Sequence, residues 1–302
     1  MKLMVMKWCA IRGSRLFRIR AVMAIAIAAL CMAVACLVVL AWPMDTHRYL
    51  SAASSPEMRD RCGKLMFVAL NPQEQWCLSR SLLDLGPRIA KATVAAEDHR
   101  FYSHPGVDPM ALARAAWQNL TRRRIVSGAS TLTMQVVKNS PESSRSLSMK
   151  VLQFVRALRL ECRTDKDEVL CAYLNEVPYG LNLIGAEAAA WRYFGKPARE
   201  LTLGEAALLA GLPKAPAAFE PLRHPERALS RRNYVLKRML CMGFITEAEY
   251  RETVDRPVPA AWHDFPRQAH HLAVQLRPKM QAEQRVEVTL DSGAQGRAAV
   301  PS

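Results

Sequence analysis

The chain reads as a predominantly α-helical domain behind one N-terminal transmembrane helix. Three observations predict this: helix-start signals recur through the middle of the chain, alternating strand patterns are scarce, and an uncharged run from Ala21 to Trp42 follows a basic N-terminus. About 20 apolar residues cross the hydrocarbon layer as a helix, so the run is long enough to span. Lys2, Lys7, Arg12, Arg15, Arg18 and Arg20 all precede it, with no acid before Asp45, which places the N-terminus in the cytoplasm and the remainder outside it. The competing reading is a cleaved signal peptide, but the run exceeds the roughly 7–15 apolar residues of such peptides and no convincing small-residue cleavage site precedes Pro43. Ala33-Val34-Ala35-Cys36 faintly resembles a lipoprotein box, yet Leu37 to Leu40 prolong the apolar run.

A chain of 302 residues that is 50% hydrophobic and 23% charged builds one substantial core and is not disordered. Beyond the six N-terminal cations, 36 basic side chains face 27 acidic ones, so the exported part is basic and its partner is expected to be anionic. Nucleic acid is excluded outside the cytoplasm. Anionic headgroups and pyrophosphate fit, at about 1 kcal/mol per basic residue near a membrane surface. Cys62, Cys77, Cys162, Cys171 and Cys241 follow the anchor without CxxC or metal-ligand spacing. A Cys62–Cys77 bridge stands as an alternative to buried thiols. No cofactor and no metal site is expected, and a dependence on divalent cations is not readable from these residues.

The elements follow in order: a basic tail at 1–20, the anchor at 21–42, and a connector at 43–86 with few periodic signals. The main domain is expected at 87–255. Asp108-Pro109 supplies an N-cap and a first-turn proline, and Met110, Ala113, Ala116 and Trp117 form an amphipathic face. A long helix is predicted from about Ser144 to Arg163. Thr164 with Asp167 resembles a capping box for a helix ending near Asn175, and Thr202 with Glu205 forms a better one. The apolar run Ala206 to Ala210 marks a buried helix stopped by Pro213. Thr246 to Glu249 starts another helix. The tail at 256–302 holds His270 and His271, read as surface residues, and Arg285 to Leu290, which alternates like one strand in need of a partner.

Two segments carry chemistry. Glu97-Asp98-His99-Arg100-Phe101-Tyr102-Ser103-His104-Pro105-Gly106-Val107-Asp108 gathers acids, histidines and an arginine in a turn-rich loop. Gly128-Ala129-Ser130-Thr131-Leu132-Thr133-Met134-Gln135-Val136-Val137-Lys138-Asn139 packs hydroxyls, an amide and a cation around one helix start. In this order, with Arg145 to Lys150, Ala172-Tyr173-Leu174-Asn175-Glu176 to Gly180, and Gly204 to Pro216, they resemble the peptidoglycan glycosyltransferases of family 51 across about Thr93 to Tyr250. The wording is closest to the glycosyltransferase half of the penicillin-binding protein 1C branch of the class A synthases.

The resemblance implies a lysozyme-like α-helical domain that polymerises lipid II into β-1,4-linked glycan and releases the lipid pyrophosphate. A sugar hydroxyl attacks well only as its proton is removed, which suits a positioned carboxylate, and Glu97 matches the family's general base. The departing pyrophosphate needs cations already in place, and Lys138, Arg145 and Lys150 match that role. Ser130, Thr131 and Gln135 are read as hydrogen-bond donors to phosphate or sugar, and Gly128 as a close backbone approach. Asp98 is read as raising or orienting Glu97. Phe101, His104 and Gly106 shape the loop, with substrate contact as the alternative for Phe101 and His104. Asn175 is divided between substrate contact and helix-end packing, and Glu205 is read as a cap.

Gln153 stands where much of the family has a glutamate one turn after the lysine, leaving a group that hydrogen-bonds but does not exchange protons. The stretch from Trp117 to Val126 mixes apolar and basic residues and suits a membrane surface. No S-x-x-K nucleophile pair of a transpeptidase occurs. The chain therefore reads as a truncated or split relative of a bifunctional synthase, in the bacterial inner membrane with its catalytic domain in the periplasm. The expected partners are lipid II, the growing glycan, membrane lipid and a separate transpeptidase or other cell-wall synthesis protein. A lytic transglycosylase and a non-catalytic remnant that binds lipid II are the alternatives.

Overall fold

The computed structural model describes residues 22–23, 26–27, 30, 34, 38–39, 41–122, 130–138, 147–257 and 261–290. The chain divides into two units, Met1–Met44 and Asp45–Ser302. In the first, the described residues from 22 to 41 are helical. Most of the expected span at 21–42 lies outside the described residues, and no helix among them is long and apolar enough to cross a membrane.

The second unit is mainly helical, with two small three-stranded sheets. One sheet lies where the sequence shows no strong periodicity. Strand β1 (Glu57–Arg59) pairs antiparallel with β2 (Leu65–Val68), and their alternation is too brief to register as a pattern. Its other neighbour is β6 (Arg285–Glu287), parallel to it with Glu57 opposite Arg285. The strand read from Arg285 onward thus finds its partner in the segment expected to be a connector. Val286 is its buried residue, packed with Met58, Met66, Ala273 and Met280, while Arg285 and Glu287 face outward. In the second sheet β5 (Leu183–Ile184) lies between β3 (Trp76–Cys77) and β4 (Pro178–Gly180).

The helices are α1 (Pro87–Glu97), α2 (Pro109–Arg122), α3 (Leu132–Lys138), α4 (Leu147–Glu161), α5 (Lys166–Glu176), α6 (Ala186–Phe194), α7 (Leu203–Gly211), α8 (Pro225–Cys241), α9 (Glu247–Val254), α10 (His270–Gln275) and α11 (Arg277–Glu283). Single turns occur at His47–Leu50 and Leu82–Leu85. The capping boxes at Thr202 with Glu205 and at Thr246 with Glu249 form as the residue types predict. The third is displaced by one residue. Asp165 and Glu168 make it, because the Thr164 hydroxyl donates back to the Leu160 carbonyl at 2.8 Å. Asp108 caps α2 by accepting from the Met110 and Ala111 amides at 2.9 and 3.0 Å.

Helix α7, buried from Ala206 to Gly211, is the centre against which α1 and α8 pack. Its alanines leave room for close helix approach. Helix α3 packs on α4 and α5. The amphipathic helix expected after Asp108 forms as α2. Met110, Ala113 and Trp117 are exposed and Ala115 is buried, so the apolar face meets solvent instead of the core. The thiol reading changes: all five cysteines beyond the anchor are free, and Cys62, Cys162 and Cys241 are exposed while Cys77 is buried. His270 and His271 lie exposed on α10.

Candidate active site

Helix α1 ends at Glu97. Asp98 closes it by donating its amide to the Val94 carbonyl, then leaves helical geometry, and Phe101 plugs the following turn into the core. Glu97 is therefore the last side chain on a rigid helix, with 14% of its surface open to solvent. Gln135 of α3 donates its amide to Glu97 Oε2 at 3.1 Å. On the other side the Arg231 guanidinium of α8 stands 3.6 Å from Oε1. Near it lie Tyr173 and Tyr179, both fully buried, with hydroxyls that have no hydrogen-bond partner among the described residues. Burial raises the proton affinity of both phenols, and the charge of Glu97 raises it further.

Arg231 is held on several sides. Its Nε donates to the Gly211 carbonyl at 3.1 Å, and the rings of Phe219 and Tyr234 lie 5.8 and 5.0 Å from its centre. Burial lowers its proton affinity and the charge of Glu97 opposes that, so the guanidinium stays charged. Gly211 makes the approach possible, since a Cβ there would stand 2.9 Å from Arg231 Cγ.

Asp98 turns away from Glu97. Its carboxylate meets His104 Nε2 at 3.1 Å through both oxygens and accepts the Leu132 amide at 3.1 Å at the start of α3. Three residues on from Leu132 comes Gln135, so Asp98 fixes the helix that presses an amide on its own neighbour. Thr131 serves the same junction: its hydroxyl donates to the Gly106 carbonyl at 2.5 Å and accepts the Met134 amide at 3.2 Å. Gly106 has φ 91°, and a Cβ there would stand 2.7 Å from the Ala157 carbonyl oxygen, so the loop lies directly on α4.

Of the residues read as substrate contacts, Asp98, Phe101, His104 and Thr131 are thus buried in the scaffold of the site. Asn175 is also buried, its side chain accepting the Arg80 amide at 2.9 Å and donating to the Arg80 and Cys171 carbonyls at 2.8 and 3.0 Å. Its amide is consumed by this turn. Ser130, Lys138 and Lys150 are exposed, Lys138 one turn beyond Gln135 on α3 and Lys150 near the start of α4. Gln153 is half-buried on α4. Gly128 and Arg145 lie outside the described residues.

The surroundings are electropositive. Arg238 donates to the Ala95 carbonyl of α1 at 3.1 Å, and burial, with the charges of Arg238 and Arg114, lowers the proton affinity of His99. Arg231 and Arg238 carry no motif in the sequence. The signal available was their spacing, Arg231, Tyr234 and Arg238 at i, i+3 and i+7 on one helix. Two cavities of about 580 and 680 Å³ lie elsewhere and neither includes Glu97; in the larger, buried Arg80 is consumed by Glu57 at 2.6 Å and Glu187 at 3.5 Å. Among the described residues no group of three or more His, Cys, Asp or Glu side chains is disposed to hold a metal ion.

A helix-end carboxylate, held by one amide and one guanidinium on a basic face, has the chemistry of a proton acceptor. The Transglycosylase family model matches residues 65–240, more than half the chain, and the chain belongs to that family. It is 40% identical over 256 residues to penicillin-binding protein 1C of Escherichia coli, covering 85% of this chain and 33% of that protein. It is 48% identical over 171 residues to penicillin-binding protein 1A of Aquifex aeolicus, covering 56% and 24%. Penicillin-binding protein 1A of E. coli is 42% identical over 205 residues, covering 66% and 24%. The chain spans a third or less of the length of these relatives.

Proposed function

We propose that the chain is a peptidoglycan glycosyltransferase that polymerises lipid II into β-1,4-linked glycan and releases undecaprenyl pyrophosphate. The observation that carries this reading is the setting of Glu97 between Gln135 and Arg231. A carboxylate at a rigid helix end is aimed without needing to reorganise, and it removes the proton of the attacking sugar hydroxyl as the new bond forms. Attack from one face with departure from the other inverts the anomeric carbon and requires no covalent enzyme intermediate.

The leaving pyrophosphate gains negative charge and takes no proton. Exposed Lys138 and Lys150, with Arg145, supply fixed positive charge to it, and Ser130 and Gln153 supply hydrogen bonds. Gly128 admits the backbone to the phosphates. Asp98, His104 and Thr131 act at one remove, by holding α3 in register with Glu97.

The exposed apolar face of α2, with Met110, Leu112, Trp117 and Leu120, supports contact with a membrane that delivers the lipid-tailed substrate. The protein then works at the outer face of the bacterial inner membrane, anchored by residues 21–42. A transpeptidase or other cell-wall synthesis protein is its partner.

The test is conversion of labelled lipid II to glycan by the detergent-solubilised protein. Glu97→Gln is expected to lower turnover by at least ~100-fold, in the range for loss of a general base. Undiminished polymerisation by that variant would refute the assignment. Digestion of isolated sacculi without lipid substrate would favour a lytic enzyme, and binding of lipid II without polymer would favour a non-catalytic remnant.

A further inference from the structure

Helix α8 carries Arg231, Tyr234 and Arg238 along one face, and both ends of this stripe are tied to the helix that bears Glu97. Arg231 stands 3.6 Å from the carboxylate and Arg238 donates to the Ala95 carbonyl at 3.1 Å. Tyr234 lies between these anchors. The next residues, Val235 and Leu236, are fully buried, yet Tyr234 is 47% exposed. The Arg231 guanidinium lies over the ring, 5.0 Å from its centroid, and so covers part of it. Tyr234 thus keeps aromatic surface in water beside the guanidinium that faces Glu97.

We propose that Tyr234 is a stacking platform for the pyranose whose hydroxyl Glu97 deprotonates. This deepens the glycosyl-transfer reading above and rests on it. A pyranose is polar at its rim, but its axial C–H groups make one face apolar. Laying that face on an aromatic ring removes two apolar surfaces from water and leaves the hydroxyls free for hydrogen bonds. The platform also limits the sugar to sliding or turning in one plane, which brings a rim hydroxyl toward Glu97. Arg231 then has two tasks: its charge faces Glu97, and its planar group backs the ring. The Tyr234 hydroxyl is not required for stacking, so a different flat ring suffices.

The experiment is steady-state kinetics on lipid II with Tyr234→Leu, Tyr234→Ser, Tyr234→Phe and Tyr234→Trp, each checked by thermal melting. The leucine and serine variants are expected to raise KM about tenfold and to leave kcat within about twofold. Phenylalanine and tryptophan are expected to keep KM near the wild-type value. Should the ring only prop Arg231 in place, kcat falls while KM stays, and that result overturns the proposal, as does a leucine variant equal to wild type in both constants. Saturation-transfer NMR with a soluble disaccharide of the glycan separates this idea from the polymerase reading. Tyr234-dependent saturation of the sugar C–H groups by a protein that makes no polymer would retain the platform and remove the polymerase reading. Polymerisation by wild type with saturation unchanged in the leucine variant would do the reverse.

Discussion

Asp98→Ala tests how the site is held together. Asp98 is 6% exposed, and its carboxylate takes both the Leu132 amide and His104 Nε2 at 3.1 Å. Hydrogen bonds to a charged group contribute about 1.5–3 kcal/mol each, and a buried polar group left alone costs about 1–3 kcal/mol. The alanine variant loses both bonds and leaves the His104 ring, whose Nδ1 already has no hydrogen-bond partner among the described residues, without any. A loss of about 3–5 kcal/mol in unfolding free energy is expected, a large part of the ~5–15 kcal/mol of a typical domain. Asp98→Asn retains an oxygen for Leu132 and is expected to lose about 1–2 kcal/mol. The assay is urea unfolding followed by circular dichroism, with lipid II turnover measured well below the midpoint. Turnover in the alanine variant is expected to drop because Gln135 is no longer held against Glu97. Stability within about 1 kcal/mol of wild type together with normal turnover would refute the reasoning. Loss of turnover by the asparagine variant at unchanged stability would place Asp98 in the chemistry instead.

Other predictions concern the scaffold. Glu57 is almost wholly buried among Arg80 at 2.6 Å, Arg285 at 2.7 Å and Arg59 at 2.9 Å. Glu57→Gln leaves Arg80 short of charge and is expected to cost about 3–5 kcal/mol by chemical denaturation. Burial raises the proton affinity of Glu57, but Arg80 and Arg59 outweigh it and hold its pKa below 4.5, so the stability it contributes is present above pH 4.5 and lost on further acidification. Glu176 behaves oppositely. Burial raises it to about 7, so the folded state prefers the protonated form and stability falls as pH rises from 4.5 to 7. At about 1.36 kcal/mol per unit, discounted for its partial exposure, the loss is about 2 kcal/mol. Glu176→Gln should melt above wild type at pH 8 and with it near pH 4; parallel melting at both would overturn the account. Gly106→Ala forces a Cβ into the Ala157 carbonyl at a positive φ and is expected to destabilise by more than about 2 kcal/mol, read from its melting curve.

Much of the helical frame was legible because helix starts are local. A side chain at N-cap and another three residues on satisfy amides within one turn, so Thr202 with Glu205 and Thr246 with Glu249 are readable from residue type. The same logic misplaced one start by a residue, since Thr164 and Asp165 are both good caps and only the Leu160 carbonyl separates them. The apolar side of α2 was legible too, though not its surroundings. Spacing shows that a helix has an apolar side but not what covers it, and here no core does.

The sequence by itself determined the family, the starts of several helices and the candidate carboxylate at Glu97, because the pattern of residues around Glu97 is contiguous and helix caps act over three or four positions. Only the tertiary structure decided what touches that carboxylate. Gln135 arrives from α3 and Arg231 from α8, and an arginine beside another arginine on a charged helix carries no mark of burial. The roles of Asp98, Thr131 and Asn175 were likewise decided by folding, as each uses its polar atoms on backbone far away in the chain. The pairing of β6 with β1 reaches across most of the chain, and its Glu57–Arg285 contact joins residues separated by 228 positions. Such contacts depend on which surfaces meet once helices pack, and no local preference encodes them.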